Sequence, residues 1–128
     1  MKPKLTPSEI NDTLQNFSGS EQFHRWSPLY RKHLLTEGTN WLADEVGAFW
    51  LMDLIASHQL EIKDQDFQVW KMTKDKQGDG TLVVADDGNG NEIATQKLEF
   101  TDFPLEEITL WAERNELGGL TIMLPGER

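Results

Sequence analysis

The chain has 128 residues, of which 38% are hydrophobic and 27% charged, and its formal net charge is −10. This length and composition fit one folded domain, and the absence of cysteine excludes disulfides, thiolate catalysis and cysteine-based zinc sites. The charge is uneven, −3 over residues 1–64 and −7 over residues 65–128, and it disfavours direct binding to nucleic acid or to anionic membranes.

The N-terminal sequence MKPKLTPSEI predicts a helix start and no secretory signal, because it lacks an apolar core. Thr6 can serve as the N-cap, Pro7 fits the first helical position, and Glu9 completes a capping box. Apolar residues at helical spacing extend this first helix to about Phe17. With no stretch long enough to span a bilayer, we expect a cytoplasmic protein without membrane contact.

The segment from Phe23 to Leu35 permits two interpretations. It is either a helix interrupted by Pro28 or a chain that ends in a short strand from Tyr30. It is also the basic patch of an acidic sequence, with His24, Arg25, Arg31, Lys32 and His33 close together.

The longest apolar stretch, residues 41–58 (WLADEVGAFWLMDLIASH), predicts a single buried helix against which the other elements pack. A turn over residues 36–39 precedes it, and Thr39 or Asn40 is the expected cap. Within it, Gly47-Ala48 predicts a notch where another element can approach closely.

After His58 the apolar period changes from helical to alternating, which predicts strands separated by short turns. The predicted strands cover residues 67–73, 81–85, 92–101, 107–113 and 120–124. The expected fold class is α+β, with two or three N-terminal helices packed on a four- to five-stranded antiparallel meander. We find no linker or repeat, so residues 1–128 form a single domain.

Asp53 raises the sharpest chemical question, because it lies among the apolar positions of the predicted helix and a buried aspartate needs a partner. The favoured interpretation is a structural link to a cation or an indole N–H of the segment before it. The alternative is the pocket of a small enzyme or ligand-binding domain. Its candidate residues are Asp53, His24, Trp26 and Trp50.

A loop between the first two predicted strands resembles the start of a calcium-binding loop. Asp75, Asp79 and Asp86 are weak metal candidates there, since a glycine-rich hairpin explains the same residues. No metal or cofactor is therefore expected.

The strand half carries many acids that can form a surface resembling the phosphates of a nucleic acid. The candidates are Asp86, Asp87, Glu92, Glu99, Asp102, Glu106, Glu107 and Glu113. They favour a non-enzymatic protein that binds a basic partner protein, such as an inhibitor of the anti-restriction or anti-CRISPR type. The sequence leaves a homodimer open.

The block HLLTEGTNWLADEVGAFWLMDLIASHQ, with FTDFPLEEITLW and IMLPGE later in the chain, resembles a small bacterial family of unknown function. The residues that carry the resemblance are Thr36, Gly38, Leu42, Ala43, Glu45, Gly47, Trp50, Leu51, Asp53, Ile55, Ala56, Ser57 and Gln59. The resemblance implies a bacterial, phage or plasmid origin and assigns no activity.

Overall fold

The computed structural model describes residues 5–19, 22–62, 64–74, 80–99 and 103–127. Within these ranges the chain forms three helices and a seven-stranded sheet. The helices are α1 (Pro7–Leu14), α2 (Glu37–Val46) and α3 (Phe49–Ser57), with short 3-10 turns at Pro28–Tyr30 and Pro125–Glu127. The strands are β1 (Phe23–His24), β2 (Leu34–Thr36), β3 (Phe67–Lys74), β4 (Thr81–Asp86), β5 (Glu92–Leu98), β6 (Glu107–Arg114) and β7 (Leu120–Met123).

The predicted capping box at the start of α1 is confirmed. Glu9 N donates to Thr6 Oγ1 at 3.2 Å, and Thr6 N donates to Glu9 Oε1 at 3.1 Å. The helix ends at Leu14, earlier than predicted, because the N–H groups of Asn16 and Phe17 bond to carbonyls three residues back. Phe17 still packs, with its ring centroid 6.1 Å from that of Trp41.

The prediction of one helix over residues 41–58 is wrong, because Gly47 divides the stretch. Thr36 caps α2, rather than Thr39 or Asn40, and the predicted turn is the first turn of this helix. Gly47 adopts a left-handed conformation with φ 74° and donates its N–H to Ala43, which ends α2. Of the predicted notch, Gly47 faces no close neighbour, since a Cβ there would meet no described atom within 4 Å, whereas Ala48 is buried in the core.

The α+β class and the five predicted strands are confirmed, but the predicted meander is wrong. The sheet order is β1-β2-β7-β6-β3-β4-β5, and β2 pairs with β7 in parallel, so the sheet is mixed. Two short strands also precede α2 and α3, so the helices do not all come first. The chain leaves β5 and crosses to pair β6 with β3. Phe103 and Leu105 are buried in the core along this connection, which anchors it.

The core lies between the helices and one face of the sheet. Leu51 and Ile55 of α3 lie against Trp70 and Met72 of β3 and Leu110 of β6. The alternation of side chains along β3 and β6 turns the remaining residues of these strands to the other face, where they are exposed or half-buried. The longest helix in the described ranges has ten residues, and none there is long and apolar enough to cross a membrane.

Candidate functional site

Asp53 is exposed rather than buried, which corrects the expectation that it lies on the core face. On α3 the core-facing residues include Leu51, Leu54 and Ile55, so the side chain between them points outward. Its Oδ1 accepts a hydrogen bond from Trp26 Nε1 at 2.8 Å. An indole N–H was one of the predicted partners, and the contact joins the segment before β2 to α3.

The four candidate pocket residues do not all share these contacts. Trp26 and Asp53 are in direct contact, but the half-buried Trp50 packs edge-on against Phe103, with ring centroids 6.4 Å apart. His24 lies in β1, opposite Leu35 of β2. A ligand-binding role for Asp53 therefore stays a prediction, and the observed geometry favours the structural link.

Three rings of the basic segment form one cluster. The ring centroid of His33 lies 6.5 Å from that of Trp26 and 5.8 Å from that of Tyr30. Leu120 N donates to His33 Nδ1 at 3.0 Å, so this nitrogen carries no proton. Burial, and then the positive charge of Arg114, lower the pKa of His33 below its usual range. The neutral imidazole therefore acts as a structural acceptor that fixes the segment to β7.

Beside this cluster lies an open groove of about 740 Å³, which we call the basic groove. Its lining includes Tyr30, Arg31, Lys32 and His33 of the segment before β2, Leu60 after α3, and Arg114 at the end of β6. Arg114 Nε contacts Asp66 Oδ1 at 3.4 Å. The sequence had indicated that Arg31, Lys32 and His33 belong to a basic patch. It did not indicate that Arg114 joins them, because Arg114 is the one basic residue between Lys97 and Arg128 and has several acids around it in the sequence.

The candidate acids of the strand half lie at opposite ends of the central strands. The register aligns Glu113 with Phe67, Val69 with Asp86, and Asp86 with Glu92, so one end of β6, β3, β4 and β5 is acidic. We call this end the acidic rim; it consists of Asp66, Asp86, Asp87, Glu92 and Glu113. Glu106 precedes β6 and Glu107 begins it at the other end of the sheet, the end at which β5 finishes before Glu99, with β3 and β4 in between. Asp102 lies outside the described residues.

Two carboxylates of the acidic rim are held in the turn between β4 and β5. Gly88 N donates to Asp86 Oδ1 at 2.7 Å, and Asn89 N donates to Asp87 Oδ1 at 2.8 Å. Asn91 Nδ2 also donates to Asp87 Oδ2 at 2.9 Å. These hydrogen bonds lower the pKa of Asp87, and the bond from the Asn91 side chain has the largest effect. The carboxylates are thus fixed in place, and that of Asp87 is held ionised.

The metal candidates Asp75 and Asp79 lie outside the described residues, so the calcium-loop prediction is not tested there. Asp86 ends β4 and accepts the turn hydrogen bond from Gly88. Among the described residues, no group of three or more histidine, aspartate or glutamate side chains is arranged to hold a metal ion.

Glu127 is a buried acid that the sequence reasoning missed. Its Oε1 accepts from Thr36 Oγ1 at 2.6 Å and from Leu124 N at 3.1 Å, and its Oε2 accepts from Gly38 N at 3.0 Å. The favourable charge of the α2 N-terminus adds to these bonds. The two motifs Thr36-x-Gly38 and Leu-Pro-Gly-Glu therefore meet in space, which makes this carboxylate a structural link between the C-terminal segment and α2.

Comparison with known proteins finds one family model, described as a family of unknown function (DUF6876), which matches residues 8–128. No curated protein and no solved structure matches the chain.

Proposed function

The chain belongs to the DUF6876 family of unknown function, and we propose that it is a non-enzymatic module that binds a basic protein through the acidic rim. In its most specific form, the module occupies the nucleic-acid-binding surface of that partner and inhibits it. The proposal rests above all on one observation, the convergence of carboxylates from four neighbouring strands at one end of the sheet.

The rim has the spacing and rigidity that such a contact needs. Adjacent strands lie about 4.8 Å apart, so the four strand ends spread their charges over about 14 Å. Asp86 and Asp87 are fixed by turn hydrogen bonds, and therefore little side-chain entropy remains to be lost on binding. A partner protein that binds the phosphates of a nucleic acid in a positively charged cleft would meet a similar row of negative charges on the acidic rim.

The contacts of the candidate catalytic groups support a binding role over catalysis. Asp53 accepts from Trp26, and His33 Nδ1 accepts from the backbone of β7. His58 Nε2 lies 2.8 Å from Gln96 Oε1. In each of these three groups at least one polar atom already has a structural partner, which favours a structural role over catalysis.

Capture experiments with a matched pair of double variants test the proposal. Glu92→Lys/Glu113→Lys reverses two charges of the rim, and Glu106→Lys/Glu107→Lys reverses two at the opposite end of the sheet. Tagged protein is incubated with nuclease-treated lysate at about 0.1 M and about 0.5 M NaCl, and captured proteins are identified by mass spectrometry. We expect basic nucleic-acid-binding proteins at low salt, which the rim variant loses and the other variant keeps.

A competition experiment distinguishes binding at the partner's nucleic-acid site from non-specific electrostatic attraction. If the rim occupies a nucleic-acid site, added duplex DNA displaces the captured protein from the tagged chain. Capture of the same proteins by both variants and by the unaltered chain would refute the proposal. Loss with the Glu106/Glu107 variant alone would refute the assignment to the rim.

A further inference from the structure

The basic groove carries a charge opposite to that of the molecule around it. Residues 22–36 contain Arg25, Arg31 and Lys32 and no carboxylate, while the whole chain has a net charge of −10. Arg31 and Lys32 are exposed, and neither forms an ion pair with a described residue. Because exposed charges are screened beyond about 8 Å at physiological salt, these cations act on a ligand mainly within the groove itself.

The walls of the groove are fixed before any ligand arrives. Arg25 Nε donates to Arg31 O at 3.1 Å, and Asn115 Nδ2 donates to Lys32 O at 2.9 Å. The Trp26 contact with Asp53 and the His33 contact with Leu120 N hold the aromatic cluster behind them. The backbone that presents the cations is therefore already ordered, which lowers the entropic cost of binding.

Large apolar side chains flank the cations. Leu29 is 76% exposed and Leu60 86% exposed, and both line the groove. Each leaves apolar surface in water that a partner could cover, at roughly 25 cal/mol per Å². A phosphate group or a nucleic acid would use the cations but would gain little from exposed leucines. Cations with exposed leucines and a tyrosine instead complement a protein segment that has both acidic and apolar side chains.

We propose that the basic groove binds a short segment of a partner protein in which acidic and apolar side chains alternate or interleave. Carboxylates of that segment contact Arg31, Lys32 and Arg114, and its apolar side chains cover Leu29 and Leu60. The groove adjoins the acidic rim, because Arg114 of the groove contacts Asp66 of the rim, but this proposal does not depend on the function proposed for the rim.

A random short-peptide library selected against the immobilised protein identifies the preferred ligand although the partner protein is not known. Counter-selection uses Arg31→Glu/Lys32→Glu, so that peptides bound elsewhere are removed. We expect enriched peptides to be rich in aspartate or glutamate and in leucine or aromatic residues. Failure to enrich any sequence, or enrichment of basic or purely polar sequences, would overturn the proposal.

Fluorescence anisotropy with a labelled enriched peptide then locates the contact. We expect Arg31→Glu/Lys32→Glu to weaken binding by about tenfold or more and Leu60→Ser by about threefold or more. The matched control is Lys71→Glu/Lys97→Glu, the same charge change at exposed positions of β3 and β5, which should bind as the unaltered chain does. Equal loss in the control would overturn the proposal, because it would show only a response to net charge.

Two competitors test other occupants of the groove. Inorganic phosphate and a single-stranded oligonucleotide should not displace the peptide at concentrations that leave ionic strength unchanged. Displacement by either would overturn the peptide assignment in favour of an anion or nucleic-acid site. The rim variant Glu92→Lys/Glu113→Lys should retain peptide binding. The peptide assay therefore tests the proposal for the groove, and the capture experiment tests the proposal for the acidic rim.

Discussion

Gly38, the second residue of α2, has no room for a side chain. A Cβ at this position would lie 2.5 Å from both Glu127 Oε1 and Leu124 Cδ1. The carboxylate cannot easily move away, because Thr36, Gly38 and Leu124 all donate hydrogen bonds to it in a buried site. The close approach of the C-terminal segment to α2 thus depends on glycine here.

We expect Gly38→Ala to lower the free energy of unfolding by about 1–3 kcal/mol, since the added methyl group overpacks a buried site. The control is Gly126→Ala, beside Glu127, where a Cβ meets only ordinary contact, 3.4 Å from Phe17 O. That change should cost less than about 0.5 kcal/mol. Urea unfolding followed by tryptophan fluorescence measures both, and equal stabilities of the two variants would contradict this account of Gly38.

His33 makes stability depend on pH. Its pKa is lowered in the folded protein by burial and by Arg114, whereas in the unfolded chain it is about 6.5. As the pH falls through the pKa of the unfolded chain, His33 takes up a proton in the unfolded state before it does so in the folded state. The free energy of unfolding therefore decreases as the pH falls, until the pH reaches the lower pKa of the folded state. Protonation of Nδ1 would also remove the acceptor for Leu120 N.

We expect His33→Gln to reduce the loss of unfolding free energy between about pH 7.5 and about pH 5.5. Glutamine does not titrate, and its amide oxygen can still accept a hydrogen bond. Urea unfolding midpoints across this range are the measurement. An unchanged pH slope in the variant would show that other groups produce the dependence.

At the scale of elements, Trp26 and Asp53 connect the segment before β2 to α3. Because Asp53 is exposed, its hydrogen bond should contribute only about 0.5–1.5 kcal/mol. A double-mutant cycle with Trp26→Phe and Asp53→Ala should show coupling, with the double variant less destabilised than the sum of the singles. Asp53→Asn keeps an acceptor and should remain close to the unaltered chain. Strict additivity would show that the contact adds no stability.

The elements that the sequence predicted well are those with strong local patterns. The capping box at Thr6 and Glu9 fixed the start of α1, and alternation in β3, β4 and β6 matched their buried faces. The continuous apolar stretch hid the break at Gly47, because an apolar pattern does not reveal a left-handed residue. With two and three residues, β1 and β2 are too short to give a periodic signal.

The candidate site was harder to predict, because it depends on contacts between distant residues. Asp53 was expected in the core from its neighbours Trp50 and Leu54, but the break before α3 fixes a face on which it points to solvent. Glu127 meets Gly38, 89 residues earlier in the chain. Arg114 reaches the basic groove only because β6 lies beside β7, whose partner β2 follows the basic segment.

At the scale of the whole molecule, the direction and order of the strands determine where charge collects. β4 and β6 both run antiparallel to β3, which brings Glu113 to the same end as Asp86 and Glu92. Because β6 pairs with β3, Glu113 lies there beside the start of β3, whereas a simple meander would have placed it beside the start of β5. Composition alone therefore predicted the excess of negative charge but not the acidic rim or the basic groove.

The net charge of −10 should make the fold more stable as salt is added, because screening weakens repulsion among carboxylates in the compact state. Between about 0.02 M and about 0.3 M NaCl we expect a gain near 1 kcal/mol in the free energy of unfolding, or about 4 °C in Tm.

Each charge reversal shifts the net charge by two, so Glu106→Lys/Glu107→Lys has a net charge of −6 and Lys71→Glu/Lys97→Glu has −14. Since repulsion grows with net charge, the gain should be largest at −14, intermediate in the unaltered chain and smallest at −6. Thermal unfolding of the three proteins over the same salt series tests this order. Equal salt dependence in all three would mean that local ion pairs, such as that between Asp66 and Arg114, determine the response instead of the total charge.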